Sequence, residues 1–126
     1  MEQEELTGKI IGAAIRVHRE LGPGYLESVY EEALCIELAA TGLKITRQQP
    51  VEICYRGQRI AVHRLDLLVE DTVVTELKAV LELQDIFYAT LRSYLRATGK
   101  SVGLLLNFAS VIVQVKRIGP ELPSRA

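Results

Sequence analysis

Between Arg64 and Lys78 the chain reads Arg64-Leu-Asp66-Leu-Leu-Val-Glu-Asp-Thr-Val-Val-Thr-Glu76-Leu-Lys78. Two runs of Leu and Val flank a Glu-Asp-Thr turn, so the stretch reads as two adjacent strands from the middle of a sheet. Asp66, Glu76 and Lys78 interrupt those runs, and an unpaired charge buried in a sheet costs several kcal/mol. A fold that keeps such residues inside its apolar strands has to bring them together.

Side chains alternate along a strand. That alternation predicts Arg64, Asp66 and Leu68 on one side of the first strand, and Leu65, Leu67 and Val69 on the other. In the second strand Val74, Glu76 and Lys78 share a side. Pairing through the Glu70-Asp71-Thr72 turn brings Asp66 and Glu76 toward one point. A divalent cation such as Mg²⁺ takes one or two carboxylates, waters and a substrate phosphate. Asp66, Glu76 and the Leu77 carbonyl can form the protein share, with Lys78 in reach of an attacking water. Glu-x-Lys alone is a common tripeptide, and its weight comes from lying inside an apolar strand beside a second strand with an interior Asp. The competing reading is a salt bridge of Asp66 or Glu76 with Arg64 or Lys78, closing a hairpin on a solvent face.

The rest of the chain supplies a frame. Ile10, Ile11, Ala14, Val17 and Leu21 recur at helical spacing from about Glu5, and Gly22-Pro23-Gly24 ends that helix. A second helix is expected from about Tyr25 to Ala40, stopped at Thr41-Gly42. Val51, Ile53 and Tyr55 then alternate with polar residues ahead of an Arg56-Gly57-Gln58 turn. Strands are expected at about Arg59–Glu70 and Val73–Val80, followed by a third helix over roughly Leu83–Thr98 ending at Gly99. Val102–Phe108 is nearly all apolar, as for a strand covered on both faces. A last strand carries Val111, Val113 and Val115, and the tail from Gly119 looks loose. The order ααβββαββ predicts an α/β or α+β sandwich, with residues 1–126 as one domain.

Composition narrows the function. The net charge is −1, which argues against a protein that coats nucleic acid nonspecifically. No apolar run reaches the roughly 18 residues that span a bilayer, and the acidic start Met-Glu-Gln-Glu-Glu is unlike a secretory signal. A cytoplasmic protein with no membrane contact is therefore expected. Cys35 and Cys54 are far apart and sit among apolar residues, so both read as reduced, packed side chains. His18 and His63 are isolated. On the third helix Arg92, Arg96 and Lys100 follow at four-residue intervals. They form either a phosphate-tracking stripe beside the carboxylates or an ordinary solvated face. Five Tyr and two Phe leave little for base stacking.

Glu27 opens the second helix, where simple dipole compensation explains it. Yet Gly24-x-x-Glu27-x-x-Tyr30, followed by Asp66 and Glu76-x-Lys78, is a composite pattern. With Val17–Gly24, Leu26–Leu34, Tyr55-Arg56-Gly57, Asp66–Glu70, Glu76–Val80, Gly103–Phe108 and Lys116-Arg117-Ile118, the chain resembles the bacterial GxxExxY protein family, a branch of the PD-(D/E)XK nuclease superfamily. The resemblance covers nearly the whole length. It implies a restriction-endonuclease-like core, a mixed sheet flanked by helices with the acidic cluster at one edge. It further implies Mg²⁺ (or Mn²⁺) held by Asp66 and Glu76, Lys78 assisting the water, Glu27 completing the metal shell, and phosphodiester hydrolysis in DNA or RNA. Members usually carry a His-x-Ala-Gln pattern early in the helix after Glu-x-Lys. Here Phe87-Tyr88-Ala89-Thr90 stands in its place, and Gln84 falls six residues too early to substitute.

That departure supports a different class of reading, a catalytically inactive nucleic-acid- or protein-binding module that kept the fold. A third reading is a structural protein whose charges form a salt-bridge network, in which Asp66→Ala destabilises strongly. By analogy of fold alone, a second subunit or a protein partner supplies targeting.

Overall fold

The computed structural model describes residues 1–120, and most of the tail expected to be loose lies outside them. Its order is α1 (Gln3–Leu21), α2 (Glu27–Ala40), β1 (Ile45–Tyr55), β2 (Gln58–Val69), β3 (Val73–Lys78), α3 (Asp85–Thr98), β4 (Val102–Asn107) and β5 (Gln114–Ile118). This is the expected ααβββαββ. One five-stranded sheet runs β1-β2-β3-β4-β5. Only β3 and β4 pair in parallel, the other neighbours being antiparallel.

Two apolar layers sandwich the sheet. On one face Leu6, Ile10, Ala14 and Val17 of α1 and Tyr30, Leu34 and Leu38 of α2 meet Leu67, Val69, Val73, Leu77, Leu104 and Leu106. On the other, Leu91 and Leu95 of α3 meet Val51, Leu65, Leu68, Val74, Leu105 and Ile118. The α3 layer is tight. A Cβ on Gly103 would stand 3.0 Å from the Leu91 side chain, so the glycine in β4 lets α3 sit close where it crosses the strand.

Local chemistry explains the ends. The Gly22 amide reaches the His18 carbonyl at 2.8 Å with φ +68°, and Gly99 closes α3 in the left-handed conformation. Arg56 and Gly57 both have positive φ, the two-residue hairpin turn that matches strand twist. Pro50 lies in β1, an edge strand where its missing N–H costs nothing.

Several expectations need correction. β1 begins at Ile45 rather than near Val51, through a polar Arg47-Gln48-Gln49 run that an edge strand tolerates. β5 is Gln114–Ile118. Val111 and Ile112 belong to the loop before it and are 87% and 77% exposed. Cys54 is exposed rather than packed, because the β1–β2 register shifts between Ile53 and Cys54. The alternation along β2 also fails at one place, since Leu65 joins Leu68 in the α3 layer while Leu67 and Val69 face α1 and α2. The cause is local: Gln48 has φ +52°, the β1–β2 ladder skips the Gln48–Asp66 pair, and the faces exchange there.

Candidate active site

The β2–β3 ladder pairs Val69 with Val73, Leu68 with Val74 and Leu67 with Thr75, then stops. The next pair in that register is Asp66 and Glu76. Where the backbone ladder ends, the two carboxylates take over. The Asp66 amide donates to Glu76 Oε1 at 3.1 Å, and the Leu77 amide donates to Asp66 Oδ2 at 2.8 Å. Each acid thus ties its own strand to the other's backbone, and the strands part just beyond them.

Glu76 is 9% exposed and Asp66 half-buried. Burial, and then the charge of Asp66, push the Glu76 carboxyl up to about 9. The competing reading, a salt bridge to Arg64 or Lys78, is not met: among the described residues neither acid has a cation within 4 Å. Arg64 turns instead to the Gln48 carbonyl at 3.2 Å. The Lys78 ammonium stands 4.5 Å from the centre of the Phe87 ring, a cation–π contact that holds it off the acids. Phe87, at the place where the His-x-Ala-Gln pattern begins, is therefore a platform for the lysine.

Glu27 enters from α2. Partial burial pushes its carboxyl up, the Lys78 charge opposes that, and Asp66 and Glu31 add to it. It stays exposed, and among the described residues no three His, Cys, Asp or Glu side chains gather as a metal cage. Two hard carboxylates with an excess of negative charge nonetheless suit a divalent cation, which needs only one or two from the protein.

The sequence pattern marks Gly24 and Tyr30 but not the contacts through which they support the site. Tyr30, fully buried, donates to the Gly22 carbonyl at 2.6 Å and accepts from the Tyr25 amide at 3.2 Å. It stacks on Phe108 at 4.6 Å. Gly24 has φ +114°, which a side chain would strain. Turn, tyrosine and glutamate therefore form one unit that places the start of α2. His18 is buried against the Phe108 carbonyl at 3.2 Å, a structural contact. The Phe108 amide donates to the Lys78 carbonyl at 2.9 Å. Asn107, wholly buried, accepts from the Val80 amide at 3.1 Å and donates to the Val80 carbonyl at 2.9 Å. The backbone that follows Lys78 is thus clamped. Tyr94 of α3 also nears the acids: burial and then the charges of Glu76 and Asp66 push its phenol up, and His63 meets its ring edge-on at 5.8 Å.

The basic stripe does not sit together at the acids. Helix α3 runs back from the end of β3 toward its start. Lys100 accordingly pairs with Asp71 at 3.6 Å, at the far end of β3. Arg96 reaches the Pro120 carbonyl at 3.3 Å. Arg92 lies between them and the helix start.

The profile of the PD-(D/E)XK nuclease superfamily matches residues 4–118. The chain belongs to that superfamily. Its mixed sheet between helices is the restriction-endonuclease-like fold expected from sequence. PD-(D/E)XK nucleases generally use divalent metal ions. No curated protein and no solved structure matches the chain. No helix among the described residues is long and apolar enough to cross a membrane.

Proposed function

We propose that this PD-(D/E)XK protein is a Mg²⁺-dependent nuclease of the GxxExxY type that hydrolyses phosphodiester bonds in DNA or RNA. One observation carries the reading. Two carboxylates from neighbouring strands meet at the point where the ladder ends, and among the described residues no cation pairs with either within 4 Å. Such a pair is unfavourable by itself and becomes favourable with a dication present. Asp66, Glu76 and the Leu77 carbonyl would hold the ion, and Glu27 would join through a water. The bound ion would lower the pKa of a water and neutralise charge on the phosphate. Lys78, held by Phe87, orients the attacking water and stabilises the charge that grows on the phosphate oxygens.

Titration of Mn²⁺ calorimetrically into the wild type and into Asp66→Ala/Glu76→Ala, both verified as folded, tests the reading. Heat of binding in the wild type alone supports it, and metal-dependent cleavage of a mixed DNA and RNA panel completes it. No binding to the wild type, with or without nucleic acid, sinks it. Phe87 and Thr90 in place of the His and Gln favour one second reading, a binding module without catalysis. Nucleic-acid affinity without metal binding is the result that module requires.

A further inference from the structure

Several cations elsewhere on this protein have visible partners. Lys9, Arg16, Arg47, Arg59 and Lys100 each meet a carboxylate within 4.0 Å. Arg117 donates to the hydroxyl of Thr7 in α1. Two are different. Arg92 and Lys116 line one hollow together with Tyr88 and Ile118, and neither makes an ion pair among the described residues. Arg92 is half-buried. Asp85, which shares the adjoining hollow with Arg92, does not neutralise it within ion-pair distance. Two like charges lining one hollow with no carboxylate between them repel each other, so the hollow suits an anion.

Its place in the sheet says which anion. Glu76 pairs with Leu105, and Leu105 pairs with Lys116. Lys116 therefore lies in the same cross-strand row as Glu76, on the α3 side. Two strand spacings of about 4.8 Å put their backbones about 10 Å apart. That is the axial rise of about three nucleotides at 3.4 Å each. Phe87 and Tyr88 are neighbours on α3: the ring of the first carries Lys78, and the second lines the hollow.

We infer that Tyr88, Arg92 and Lys116 form a second phosphate subsite, which grips the nucleic-acid backbone a few nucleotides from the bond at Asp66 and Glu76. The ligand is a phosphodiester group. Arg92 offers a planar fork of donors, Lys116 a point charge and Tyr88 a hydroxyl donor. The inference rests on the nuclease reading, yet it involves no residue of the acid pair.

The test is fluorescence anisotropy of a labelled oligonucleotide, single-stranded and as duplex, in chelator so that nothing is cleaved, across a salt series. Arg92→Gln/Lys116→Gln should weaken binding about tenfold and lower the slope of log affinity against log salt by about 1–2. Lys9→Gln/Lys44→Gln loses the same charge elsewhere and should change neither. Lys116→Glu alone, at an exposed position, should weaken binding comparably if the double variant folds poorly. Unchanged affinity and slope in the hollow variants would overturn the subsite while leaving the nuclease reading intact. Equal losses in the control pair would reduce the effect to net charge and overturn it too. Displacement of the oligonucleotide by millimolar inorganic phosphate, with no change of salt slope in the variants, would mark a free-phosphate site and also count against it. A wild type that binds neither probe overturns the subsite, and Mn²⁺ titration then decides the nuclease reading separately.

Discussion

Glu76 is the residue on which most of the site's energetics turn. Burial and Asp66 hold its proton up to about 9, whereas an unfolded chain releases it near about 4.3. The folded state thus binds this proton more tightly. The stability that follows is full below the unfolded value and is lost as pH rises through the folded one. Thermal melts in chelator should therefore show the wild type losing stability between about pH 5 and pH 9, with Glu76→Gln flatter over the same window. A cation competes for the same oxygens, so Mn²⁺ affinity should rise with pH across that window. A pH-independent affinity would count against Glu76 as a ligand. Phe87 acts one step further out. Phe87→Leu keeps an apolar neighbour but removes the ring under Lys78, a contact of about 0.5–2 kcal/mol. Single-turnover cleavage should slow by roughly three- to thirtyfold on that basis, while Mn²⁺ affinity holds.

At the scale of elements, β4 is the rail on which the site is mounted. Its Gly103 lets Leu91 press α3 onto the sheet, and its Asn107 clamps the chain after Lys78. Gly103→Ala should cost about 1–3 kcal/mol by overpacking, read from denaturant unfolding. The elements themselves were mostly legible, because helical and strand periods differ and Gly22, Gly57 and Gly99 punctuate them. The failures have local causes. Val111 and Val113 carry an alternating pattern that the chain does not use as a strand. The alternation in β2 breaks at Asp66 because Gln48 opposite adopts a positive φ, which its sequence does not signal. The acid pair sits at that break, so the irregularity belongs to the site's geometry.

Across the whole molecule, the proposed metal site would link metal binding to folding. A ligand that binds only the native state stabilises it by about 2.7 kcal/mol at a hundredfold excess over Kd. Saturating Mn²⁺ should raise the melting temperature of the wild type and leave Asp66→Asn/Glu76→Gln unmoved. In chelator the double variant should melt no lower than the wild type, because the acid–acid repulsion is gone. A large loss there would favour a structural role for the two acids.

Residue type and order alone determined the helices and strands, the family pattern and the convergence of Asp66 with Glu76, since period, turn chemistry and the oddity of charge inside apolar runs are local properties. Only the tertiary structure decided that no cation among the described residues pairs with the acids, that Phe87 carries Lys78, and that Tyr30, Asn107 and Phe108 brace them. It also separated Lys100 from Arg92 and set Arg92 beside Lys116. These are contacts between residues distant in the chain, and what determines them is the direction in which α3 crosses the sheet and the row in which β5 pairs.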